Sequence, residues 1–273
     1  MFHQRYPALK GKPIKLVSPF HFDEEAVKRR AEELTPAGAK VTVLSNEIWT
    51  GHFFSGGITA KEYTQRIHTI FPNGKILIVI RRQEDMMLSA YADALERFYI
   101  TIPLKSFLFV KRQDMAPAPN PYFFCFDGLV AYYAKLFGRD NVFVLPYEVL
   151  DDPDISFTDE VCRFAGVKPL PGESPAQNVR DYTKYAALKK LRALNLLFCD
   201  NESLDRPAVN IRGLRALRAT MVRIMQSFIS GPEAIREKDL ALIGKQLEGY
   251  IRESNKNLQA FTDYDLKKLG YML

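Results

Sequence analysis

Four stretches of this chain, PIKLVS (13–18), KVTVLS (40–45), KILIVI (75–80) and NVFVLPY (141–147), are short apolar runs without clean alternation. A strand with one wet face alternates apolar and polar residues, so runs of this kind read as strands covered on both faces. Between them lie segments with helical patterning at 23–34, 59–71, 84–98 and 126–137. Strands that alternate with helices in this way predict a parallel sheet with helices on both sides.

The boundaries agree. AGAK, PNGK and GRDN stand before the second, third and fourth strands and supply the Gly and Asn that close helices or turn the chain. DMAPAPNPY (114–122) has three prolines and reads as a loop. Beyond Pro169 the pattern is mostly helical, with Leu214, Leu217, Met221, Ile224, Met225 and Phe228 on one face of a helix. The expected organisation is an α/β core over 1–168 and a helical C-terminal part over 169–273 packed on it. With 273 residues, 47% of them hydrophobic, the chain has enough apolar surface to bury a large core.

Charge narrows the partners. The net charge is +6, and the stretch 180–223 alone carries ten Lys and Arg against four acids, an excess equal to that of the whole chain. Such a field concentrates anions, although a solvated helical face has the same pattern. The aromatics fall within apolar strands and helices rather than among these arginines, which argues against nucleic acid. Cys125, Cys162 and Cys199 are widely spaced and form no metal-ligand pattern, so no metal is expected and a reducing, cytoplasmic compartment is. No apolar run has the length of a membrane span, and no signal-peptide core opens the chain.

In parallel α/β sheets ligands bind beyond the carboxyl ends of the strands. Arg81 stands at one such end, and its planar fork suits phosphate. Ser89 follows eight positions later, more than a turn into the next helix, where its hydroxyl can serve the same anion. The alternative is that Arg81 pairs with Asp85 and Ser89 is helix surface. At another strand end, Glu47 is a candidate general base, or a carboxylate that stabilises the start of a helical turn. His52 is a weaker candidate base, beside Phe53 and Phe54, where packing is the common role. Glu148, in PYE, reads as a structural partner of a neighbouring backbone group or arginine.

Arg81 and Ser89, followed by Tyr91, resemble the segment by which sulfotransferases hold the 3′-phosphate of 3′-phosphoadenosine 5′-phosphosulfate (PAPS). Further segments resemble the bacterial carbohydrate-type branch: SNE (45–47) with a nearby Gly, IFPNGKILIVIRRQ, YYAKLFGRDNVFVLPYEVL with FAGV, and ESNKNL with DLKKLGYML. The similarity runs from about Lys40 to about Val167 and resumes from Ile251. It implies a P-loop-NTPase-like three-layer parallel sheet flanked by helices, PAPS as sulfuryl donor, no metal, and a carbohydrate-like hydroxyl acceptor. An anionic acceptor would suit the basic stretch 180–223. In such enzymes a glutamate near the position of Glu47 resembles the base, while Arg81 and Ser89 are implied to hold the donor.

The chain departs from that family in two places. Arg82-Gln83 stands where Asn-Pro is usual, a variation associated with the bacterial branch. The sequence also lacks a loop like Pro-Lys-Thr-Gly-Thr-Thr, whose amides and lysine cradle the 5′-phosphosulfate. Either the start lies upstream or this is a shortened homologue, and β-strand 75–80 is expected to have an open edge. PIKLVS is a poor substitute, because the following PFHFDEE has no glycine and opens its helix with acids. A catalytically inactive sulfotransferase-like module that binds nucleotide or anionic glycan therefore stands as the alternative.

Overall fold

The computed structural model describes residues 22–35, 37–97, 100–108, 120–152, 154–169, 190–195, 220–221, 224 and 233–273. It is a mixed α/β structure, mostly helical, and the chain divides into two compact units. The first comprises Met1–Arg81, Tyr122–Asn178 and Arg252–Leu273, and the second Arg82–Pro121 and Val179–Ile251. Residues 252–273 group with the first unit.

In the first unit, helix α1 (Glu24–Leu34) opens on Asp23, whose carboxylate accepts from the Ala26 amide at 2.9 Å. Its acids Glu24 and Glu25 face the positive end of the helix dipole. Val27 and Ala31, four apart, are buried where α1 meets α2 (Ala60–Ile70). Strand β1 (Ile76–Ile80) runs parallel to β2 (Val142–Pro146), with Ile76 beside Val142 and Ile80 beside Pro146. Helix α5 (Phe126–Phe137) packs on both strands and on α2, burying Val130, Tyr133 and Phe137. Helix α6 (Phe157–Ala165) begins at the Ser156 cap and ends at Gly166, in left-handed conformation at φ 76°.

The two strands are covered unequally. Ile78, Ile80, Val142 and Val144 are buried, whereas Leu77 and Val79 on the other face of β1 are 37% and 45% exposed. On the outer side of β2, the Thr262 hydroxyl donates to the Val144 carbonyl at 3.0 Å. Among the described residues β1 pairs only with β2.

The expected strand at 40–45 is not formed. KVTVLS has no strand partner among the described residues, and Val41 and Val43 are 42% and 73% exposed. A strand exists through its ladder and its covered faces, and this segment has neither. PIKLVS (13–18) lies outside the described residues, as do residues 114–119 of the proline-rich loop. The sheet described therefore has two strands.

The second unit contains α3 (Gln83–Arg97), the short α4 (Leu104–Phe107), helical residues 190–195 and the greater part of α7 (Glu233–Leu258). Met87, Leu88, Tyr91, Leu95, Phe107, Leu191, Ile243, Leu247 and Ile251 form its core. Asn195, fully buried, donates through its amide to the carbonyls of Leu95 at 3.0 Å and Ile100 at 2.9 Å. One side chain thereby satisfies two backbone acceptors where the chain leaves α3. Of the apolar face proposed for 214–228, the described Ile224 is 51% exposed, and most of the rest lies outside the described residues.

Candidate functional site

The register of the sheet builds the first part of the site. Ile80 lies beside Pro146, so the next residues, Arg81 and Tyr147, leave the two strands together. The Arg81 guanidinium carbon sits 5.1 Å from the centre of the Tyr147 ring. A guanidinium on an aromatic face gains cation–π attraction and loses rotational freedom, while its hydrogen bonds use the edge of the group. Tyr147 had no sequence signal of its own, since this contact depends on strand register.

Glu148 follows Tyr147 and accepts the Tyr271 hydroxyl at 2.8 Å. Tyr271 is only 3% exposed, and the Asn255 amide donates to the Met272 carbonyl at 2.8 Å. The segment DLKKLGYML is therefore packed against the strand end, with Leu266 fully buried. This gives Glu148 a structural partner in a tyrosine distant in sequence.

Glu47 opens a 3-10 turn over Glu47–Thr50, capped by Asn46, whose side chain accepts from the Ile48 amide at 2.8 Å. The Glu47 side chain is exposed. The turn is anchored from beneath, because Tyr133 donates to the Trp49 carbonyl at 3.4 Å. His52 caps the following turn, Phe53–Ser55, its Nδ1 accepting from the Phe54 amide at 3.3 Å. That bond and the adjacent Phe54 ring, 5.5 Å away, give His52 a local structural role. Gly51 and Gly57 close this loop, and a Cβ at Gly51 would lie 2.5 Å from the Gly57 Cα.

Ser89 belongs to the second unit, half-buried on α3. One turn earlier on the same helix is Asp85, with a side chain 5% exposed. Its carboxylate takes Arg82 Nη2 at 2.8 Å and Arg236 Nη2 at 2.5 Å. Asp85 thus has its own two arginines within this unit. Tyr91 is fixed by donating to the Ile102 carbonyl at 2.9 Å. Burial pushes the Tyr91 phenol up to about 12, with Arg192 working against the shift and Asp239 adding to it.

Most of the basic stretch 180–223 lies outside the described residues, as does Cys199. Among the described residues Cys125 and Cys162 are in no disulfide. Burial raises the Cys125 thiol, the Asp127 carboxylate raises it further and a Ser254 hydrogen bond opposes both, which makes it a poor nucleophile. No helix among the described residues is long and apolar enough to cross a membrane. No family model matches this chain, and neither a curated protein nor a solved structure matches it.

Proposed function

We propose that this chain is a sulfotransferase that moves a sulfuryl group from PAPS to a hydroxyl of a carbohydrate-like acceptor. The observation that carries the reading is the placement of Arg81 at the carboxyl end of a parallel strand, steadied by Tyr147. A fork held in this way binds a phosphate dianion bidentately at little entropic cost. The sequence resemblance implies Arg81 and Ser89 as holders of the 3′-phosphate, and Glu47 is the candidate base for the proton of the attacking hydroxyl. The acceptor oxygen attacks sulfur in line, the bond from sulfur to the nucleotide phosphate breaks, and 3′-phosphoadenosine 5′-phosphate (PAP) leaves. The exposed position of Glu47 suits a base that must meet an incoming sugar. The finer fold that accompanies this reading is a P-loop-like three-layer sheet, and the expected setting is the cytoplasm.

A second reading, a module that binds the nucleotide or an anionic glycan without turnover, is favoured by one observation. The stretch 180–223 carries an excess of positive charge equal to that of the whole chain, a field that holds anions without any need of turnover. Incubation with PAPS and a panel of oligosaccharides, read by mass spectrometry for a sulfated product, separates the two. Product that falls about a hundredfold in Glu47→Gln, with PAP binding retained, supports the enzyme. PAP binding without product supports the module. Neither binding nor product overturns both.

A further inference from the structure

Within the second unit, the Asp85 carboxylate is shared by two guanidinium groups. Oδ2 takes Arg82 from the residue just before α3, and Oδ1 takes Arg236 from the first turn of α7. The Arg82 side chain is 38% exposed and that of Arg236 is 19% exposed, so Arg236 is the better shielded partner. Its contact joins two elements separated by 151 positions in the chain. Asp85 and Ser89 are four apart on α3, which makes them neighbours on one helical face.

An anion that reaches the Ser89 hydroxyl therefore arrives beside a carboxylate, and like charges at that range repel. With a guanidinium on each oxygen, that repulsion is offset. We propose that Arg236 is a positioning residue for phosphate recognition at Ser89: by holding Asp85 it sets the preference for a nucleotide that carries a 3′-phosphate. The proposal rests on the sulfotransferase reading and adds to it a residue from the C-terminal helix.

The test is calorimetric titration of the full chain with PAP and, separately, with adenosine 5′-phosphate, which lacks the 3′-phosphate. Arg236→Gln is expected to weaken PAP by at least about tenfold, through repulsion from a less compensated carboxylate, and to change adenosine 5′-phosphate by less than about twofold. Adding Asp85→Asn to Arg236→Gln removes the carboxylate that Arg82 alone would then offset, and is expected to restore much of the preference. A purely structural role would weaken both nucleotides alike and would not be rescued. That pattern, or PAP binding unchanged in Arg236→Gln, overturns the proposal. Should Arg236→Gln fail to fold, Arg236→Lys keeps charge and stem without the fork. It is then expected to weaken PAP alone by about threefold, and equal losses or none overturn the proposal. Wild-type protein with no preference for PAP over adenosine 5′-phosphate would bring down the sulfotransferase reading, and this inference with it.

Discussion

The Arg81 guanidinium lies over the Tyr147 ring because residues 80 and 146 are in register at the ends of two parallel strands. Two residues 66 positions apart are thus joined by the geometry of the sheet. The face of Tyr147 is what Arg81 uses, so the phenol hydroxyl is dispensable for this contact. Tyr147→Phe is expected to retain PAP affinity. Tyr147→Ala is expected to weaken it by about threefold to thirtyfold, the range of a partly desolvated cation–π contact, as read by calorimetry.

The loop that carries Glu47 and His52 depends on glycine. Gly51 has φ 87°, and a Cβ there would lie 2.5 Å from the Gly57 Cα and 2.9 Å from its carbonyl oxygen. Both contacts are with backbone and cannot be relieved by a rotamer change. Gly51→Ala is expected to cost about 2 kcal/mol or more in urea unfolding, while alanine at the open Gly128 is expected to be tolerated.

Tyr271 joins the chain's last segment to the strand end through Glu148. Tyr271→Phe keeps the buried ring and removes a hydrogen bond to a carboxylate, for an expected loss of about 1–2 kcal/mol. Tyr271→Ala removes the ring as well and is expected to cost about 3–5 kcal/mol. Equal losses for the two variants in denaturant melts would contradict this division between packing and hydrogen bonding.

Tyr91 makes stability sensitive to alkali. Its phenol shifts from 10.0 up to about 12 in the folded protein because burial disfavours the phenolate. Below pH 10 both folded and unfolded chains keep the proton. Between pH 10 and about 12 the unfolded chain releases it while the folded chain holds it, so stability falls as pH rises. Tyr91→Phe is expected to flatten the decline of Tm over that window. A parallel decline in both proteins would contradict the assignment.

Local signals made the regular elements legible. KILIVI and NVFVLPY became β1 and β2, and FDGLVAYYAKLF became α5 from Phe126 to Phe137, because apolar runs and capping residues act over a few positions. KVTVLS, also rich in valine and leucine, formed no strand among the described residues, since strand formation depends on a partner that a local pattern cannot specify. The site divided in the same way. Arg81 was readable as a charge at the end of an apolar strand. Tyr147, Tyr271, Asn195 and Arg236 were not, because each gains its role from a contact between distant segments. The Asp85 carboxylate is held by Arg82 and by Arg236, 151 positions away, a pairing that no local pattern announces.

Recognition of the 3′-phosphate by Arg81 is tested by the thermal shift of the full chain on titration with PAP, run beside Arg81→Ala. A saturable rise in Tm is expected for the wild type, about 2.7 kcal/mol of stabilisation at a hundredfold excess over Kd, and its loss in Arg81→Ala with the unliganded Tm little changed. A wild-type chain that melts cooperatively with no response to PAP, or an Arg81→Ala variant stabilised as much as wild type, would contradict it.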